Sequence, residues 1–303
     1  MKRFLLALAA VCGGALALGA QTRVTIVDAV TGEAVPYAHV LWGAGAAAGP
    51  AEPGPGAPQG RYADEAGAVE IPAGVETFAV SHISYERTPA RLADGAVVRM
   101  QPVATVLAPA VVVPRGRRTQ RLGHAYDKRV ATYGCKSAMS VAELIVFPEG
   151  ADQLPLIEAV SLNLNTVNLK REMTVTVADR HYTDGKTHVA KLRVDLREID
   201  PATGGPGASL TGGGVIYALP DRFNLDVHKL HRVALPAPVA FPEEGVFVVV
   251  EWIVTADVRE QDSVSPTLWR CEGGATSWLQ WPLGAPWEPV AAPRSFCLGL
   301  EVR

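Results

Sequence analysis

Long helical periodicity is almost missing from this chain, which points away from a helical fold. Cysteine is scarce, four among 303 residues, and no Cys-x-x-Cys pair occurs, so spacing marks no zinc site. There is no excess of positive charge. The formal net charge is -3, with both signs scattered, and nothing resembles a nucleic-acid-binding surface. The only basic cluster, "RGRRTQR" at 115–121, lies in linker-like sequence and reads as solvated charge. Beyond the first twenty residues no run approaches the roughly 20 apolar residues of a membrane span. No Asp-x-Asp-x-Asp-Gly calcium loop, phosphate-cradling glycine loop or Gly-x-Ser-x-Gly elbow appears either. No cofactor, metal or catalytic constellation is therefore expected.

The first residues are distinctive. Lys2 and Arg3 precede an apolar stretch from Phe4 to Leu18, and Gly19-Ala20 gives a small-residue exit. Residues 1–20 read as a secretory signal, which places the mature chain in the periplasm or at the cell surface, without a transmembrane span. A lipid anchor on Cys12 is not expected, because branched Val11 precedes it and the apolar run continues past it. Three cysteines then remain in an oxidising compartment. Two arrangements stay open: a Cys271–Cys297 disulfide, both flanking strand-like segments, with Cys135 left over, or three unpaired buried thiols.

Short runs rich in Val and Thr, split by Gly, Pro and Asp, recur throughout and predict an all-β protein. "TRVTIVD" alternates as a strand, and Thr31-Gly32 is a turn. Val35-Pro36 opens a second strand running to Trp42, and the Gly/Ala/Pro tract 43–60 reads as a loop. Asp64 and Gly67 bracket a tight turn, since Asp can bond turn amides and Gly tolerates positive φ. In "FAVSHISYE" the apolar parity switches from Phe78 and Val80 to Ile83 and Tyr85, which predicts a bulge or bend.

Residues 21–102 resemble a carboxypeptidase-regulatory-like domain. The resemblance rests on Asp28, Thr31, Gly32, Glu33, Pro36, Ala38, Val40, Asp64, Gly67, Val80, Ser81, Ile83 and Tyr85. It departs from the family pattern at Ala63, where a Thr is usual, and Ser84, where a Gly is usual. The resemblance implies a seven-stranded transthyretin-like β-sandwich of the Gram-negative envelope, without a peptidase site of its own. "TVLAPAVVVP", within a linker at 103–123, is similar to the segment that leads into a barrel in large outer-membrane transporters. Too little chain follows for such a barrel. Residues 124–303 form a second unit whose eight or so short strands predict a jelly-roll-like sandwich. It is similar to the C-terminal regions that follow such domains in envelope proteins, on "LRVDLREIDPATGGPG", "LDVHKL" and "FPEEGVFVVVEW". The last of these predicts a strand buried on both faces.

Candidate chemistry is thin. In "VSHISYE", strand parity sends Ser81 and His82 to opposite faces, so neither is placed to activate the other. His228 and His231 read as surface or structural residues without a third metal ligand, and the group His181, Asp184 and His188 around an Asp-Gly turn reads as plain surface residues. Asp195, Glu198 and Asp200 read as solvated charge near a strand end. Trp269, Trp278, Trp281 and Trp287 cluster in "LWRCEGGATSWLQWPLGAPWEP" and are the candidates for ligand stacking, because an indole face can lie on a sugar ring. The alternative is that they fill the core. The expected protein is a non-catalytic envelope module whose partner is an envelope protein or a glycan. Carbohydrate binding through the tryptophans is the first alternative, and a hydrolase in the second unit the other.

Overall fold

The structure, a computed structural model, describes residues 21–43, 59–103, 119–133, 139–148, 155–165, 191–218, 230–253, 267–273, 277–281, 283–290 and 294–303. It is all-β, with two 3-10 turns among the described residues and no helix long and apolar enough to cross a membrane. The first domain has seven strands: β1 (Thr22–Asp28), β2 (His39–Trp42), β3 (Gln59–Tyr62), β4 (Ala68–Ile71), β5 (Thr77–His82), β6 (Tyr85–Arg91) and β7 (Val97–Met100). They form a three-stranded sheet, β4-β1-β7, and a four-stranded sheet, β3-β2-β5-β6. Alternate residues of both sheets, Val24 and Ile26 on β1, Val40 on β2, Phe78 and Val80 on β5, close one core.

The turns form where the local chemistry asks for them. Asp28 Oδ1 accepts the amides of Val30 and Thr31, and Gly32 takes φ 75°. Asp64 Oδ1 accepts those of Ala66 and Ala68, and Gly67 takes φ 70°. The parity switch in "SHIS" comes from two features. The β5–β6 register shifts between Val80 and His82, and Ile83-Ser84 is a two-residue hairpin tip with His82 opposite Tyr85. Ser84 does not adopt positive φ, so a glycine is not required there.

A glycine is needed at Gly60 for another reason. A Cβ there would lie 2.5 Å from Nε2 of the buried His39 and 2.9 Å from the Val40 carbonyl. Gly60→Ala is expected to cost about 1–3 kcal/mol through overpacking, read as a lower urea midpoint at unchanged m-value.

The second domain comprises β8 (Gln120–Gly123), β9 (Arg129–Tyr133), β10 (Ser140–Ile145), β11 (Leu156–Leu162), β12 (Leu164–Asn165), β13 (Lys191–Ile199), β14 (Pro206–Ser209) and β15 (Val215–Tyr217). It continues with β16 (His231–Ala240), β17 (Val246–Ile253), β18 (Thr267–Glu272), β19 (Ser277–Gln280), β20 (Glu288–Pro289), β21 (Arg294–Phe296) and β22 (Leu298–Val302). One sheet runs β14-β13-β17-β10-β19-β20, with β15 beside β13. Facing it are β16-β11-β22-β8 and β12-β18-β21, the latter with β9 beside β18. Their inner faces share the main core, which includes Val194, Val248, Trp252, Leu268 and Leu300. β8, from the stretch read as linker, pairs with β22 and belongs to this domain.

β17 is buried at all eight positions, as its apolar run predicts. Val246, Val248, Val250 and Trp252 face the main core. Phe247 and Val249 lie under Trp278 and Trp287, and Ile253 lies against Tyr37 and Tyr62 of the first domain. The first domain thus covers the end of a face that would otherwise meet water. β10 is central but was not among the expected strands. Its inward-facing Glu143, fully buried, interrupts the apolar pattern and is held by the Ser277 hydroxyl at 2.5 Å and the Phe296 amide at 3.0 Å.

Candidate functional site

Where the two domains meet, a cavity of about 210 Å³ opens, lined by Ser81, His82, Ser140, Arg197, Glu251 and Gln280, with Ile83, Leu283 and Gly284 completing its wall. Ser81 and His82 come from the end of β5, and Ile83 from the hairpin turn that follows. The strand bulge and hairpin tip turn both Ser81 and His82 toward the second domain, although plain alternation would send them to opposite faces. The remaining polar groups come from β10, β13, β17 and β19, which lie side by side in one sheet.

The floor of this junction is a buried ionic network. Arg193 Nη1 donates to Glu251 Oε2 at 2.8 Å, with side-chain exposures of 1% and 2%. Tyr62 from the first domain donates to Glu251 Oε1 at 2.8 Å, and Arg193 Nη2 donates to the Tyr37 carbonyl at 3.0 Å. Both carboxylate oxygens are therefore engaged. Such a pair repays its desolvation only when its remaining donors and acceptors are engaged, and here Tyr62 and Tyr37 of the first domain engage both members.

Tyr37 is held in an uncommon conformation. Its φ is 56°, the only positive value at a non-glycine residue among those described. Pro36 before it sets up a turn whose next position normally uses glycine. A bulky residue there carries strain of about 1–3 kcal/mol. Compensation comes from across the junction. Lys191 Nζ donates to the Tyr37 hydroxyl at 2.6 Å and sits 4.7 Å from its ring centroid. The hydroxyl donates to Glu65 Oε1 at 2.7 Å, and Lys191 also bonds that oxygen. The Lys191 ammonium, then the Tyr37 hydroxyl, hold the Glu65 carboxyl below its ordinary range.

His82 accepts the Ser84 amide at Nδ1, 3.2 Å, which leaves Nε2 to carry the proton of the neutral ring. Burial, with a smaller contribution from the Arg193 charge, holds its pKa well below the ordinary histidine value. Neither the Ser81 nor the Ser84 hydroxyl bonds a ring nitrogen of His82. Ser84 Oγ instead donates to the Gly212 carbonyl at 2.9 Å, and Gly213, at φ 124°, passes so close that a Cβ would lie 2.1 Å from that oxygen. Arg87 reaches the Gly284 carbonyl. Deeper in the first domain, His39 is 2% exposed, and its Nδ1 is buried without a hydrogen-bond partner. Burial first, then Arg87 and Arg193, lower its pKa to about 3.

Other residues singled out in the sequence fall elsewhere. Asp195 is not solvated but 1% exposed; it accepts Ser209 and Thr211 hydroxyls and the Arg197 guanidinium, anchoring the glycine loop that meets Ser84. Glu198 is exposed, and Asp200 caps its own turn. His231 is 7% exposed with Nδ1 beside the Tyr217 hydroxyl. His181, Asp184, His188, His228 and Cys135 lie outside the described residues.

The four tryptophans do not form one platform. Trp278 packs edge-on to Phe247 and lies under Gly205, and Trp287 is half-buried with the Arg197 guanidinium 5.9 Å from its ring. Trp269 sits on β18, in a different sheet, beside Arg129. Trp281, the residue after cavity-lining Gln280, is 39% exposed. Cys271 and Cys297 are brought together as unbonded, buried thiols in hydrogen-bonding contact, and burial raises the pKa of both.

His39, Tyr37 and Arg193 went unmarked in the sequence. The one local signal is the isolated polar residue inside an apolar strand, as in "HVLW" and "LRVDL". No protein-family model, no curated protein and no solved structure matches this chain.

Proposed function

We propose that the chain is a non-catalytic, exported module of the Gram-negative cell envelope, with a transthyretin-like, carboxypeptidase-regulatory-like first domain and a jelly-roll-like second one. It acts by interaction: the two domains present a fixed composite surface to an envelope partner in the periplasm or at the cell surface. The observation that carries this reading is the cross-domain network of Tyr62, Glu251, Arg193 and Tyr37, which sets the domain orientation. The counts of the two first-domain sheets, three and four strands, agree with the implied family fold.

A second reading, carbohydrate binding, is favoured by the exposed Trp281 beside Gln280 and the cavity whose donors and acceptors suit hydroxyl groups. One experiment addresses both. Mild crosslinking of the full chain in envelopes is expected to capture one discrete envelope protein, and Glu251→Ala, which loosens the junction, is expected to abolish that capture. Recovery of no partner, with glycan-array binding that Trp281→Ala removes, would replace the first reading by the second.

A further inference from the structure

We propose that His124, Asp127 and Cys271 form a binding site for a borderline-soft divalent cation of the zinc class. The donor atoms of His124, Asp127 and Cys271 all lie within 4.8 Å of one another. His124 Nδ1 is 2.7 Å from Asp127 Oδ2. Metal–ligand bonds of about 2.0–2.3 Å in a tetrahedral site place neighbouring donors on the order of 3–4 Å apart, so only small movements are needed to enclose an ion. Three protein ligands with water in the fourth position is an arrangement zinc commonly adopts. One nitrogen, one oxygen and one sulfur make a set that zinc accepts and that calcium or magnesium, which prefer oxygen, do not.

The fold explains how these residues converge. His124 opens the 3-10 turn after β8, Asp127 follows that turn, and Cys271 lies on β18. Two distant chain segments are involved, so no short spacing announces the site. Cys271 pairs with Ser295, and the Cys297 amide bonds the Trp269 carbonyl. The two cysteines are thus diagonal neighbours, not opposite ones.

Access and space are also present. The imidazole and carboxylate are 30% and 48% exposed, giving an entry path, and the thiols behind them are buried. Gly273 runs past the imidazole; a Cβ there would lie 3.3 Å from His124 Cε1 and 2.7 Å from Ser295 Oγ. A bound ion would tie the β8 turn to the strand pair behind it.

The test uses the full chain, purified reduced and stripped of metal, then titrated with Zn²⁺ and, for its spectrum, Co²⁺. One equivalent is expected, with cobalt showing tetrahedral bands and thiolate charge transfer. Cys271→Ser should remove the charge transfer. His124→Gln, at a partly exposed position that does not threaten the core, should weaken zinc binding at least about tenfold. An octahedral cobalt spectrum without charge transfer overturns the proposal. So does unchanged affinity in His124→Gln, or a Cys271–Cys297 disulfide found by mass spectrometry in the protein isolated without reductant.

Discussion

Acidification from neutrality to about pH 4 is expected to remove several kcal/mol of stability before most carboxylates titrate, with His39 as one main source. In the unfolded chain this imidazole takes its ordinary value, near 6.5, and in the fold it stays neutral down to about 3. The unfolded state therefore binds the extra proton throughout that window. Stability is complete above pH 6.5 and declines as pH falls toward 3. The displacement corresponds to a total on the order of 5 kcal/mol. The physical cause is burial against the Tyr62 ring, 4.8 Å away, with Arg87 and Arg193 adding like charge. His82 titrates in the same direction and adds a separate part. Urea unfolding at a series of pH values measures the slope. His39→Phe keeps a flat ring in the site without a titrating nitrogen and should flatten the slope between roughly pH 6 and 4. An unchanged slope in that variant would sink the assignment to His39.

Glu251→Ala is expected to cost about 3–5 kcal/mol, since it strands the charge of Arg193, whose side chain is 1% exposed. It also leaves the Tyr62 hydroxyl without its acceptor. The loss should be partly recovered when Arg193 is replaced as well, by Met, because no unpaired charge then stays buried. The double-mutant cycle separates the coupling from the two single costs. The same variant should split one thermal transition into two, as the domains lose their shared network. A loss below about 1 kcal/mol, the size of a solvent-exposed pair, would show that water reaches the junction.

Much of the architecture was legible because its causes are local. Alternation in "TRVTIVD", the Asp28 and Asp64 turns, and the doubly buried run of β17 each follow from residues within a few positions of one another. The parity switch in "VSHISYE" was legible as a bend, and its hairpin form was not, because a bulge and a tip produce the same pattern. β10 escaped because a buried carboxylate, tolerated only through Ser277 and Phe296, stands where an apolar residue is expected.

What the sequence by itself determined is the strand-rich class, the main turns and the faces that require cover. What only the tertiary structure decided is which surface covers which. Ser81 and His82 meet Glu251 and Gln280 across well over a hundred residues of chain, and Cys271 meets His124 by the same kind of long-range pairing. Burial of Asp195, His39 and Arg193 was decided there too. A polar side chain inside a strand is stable in the interior only if a partner from elsewhere reaches it or its charge is given up, and no local pattern records that partner.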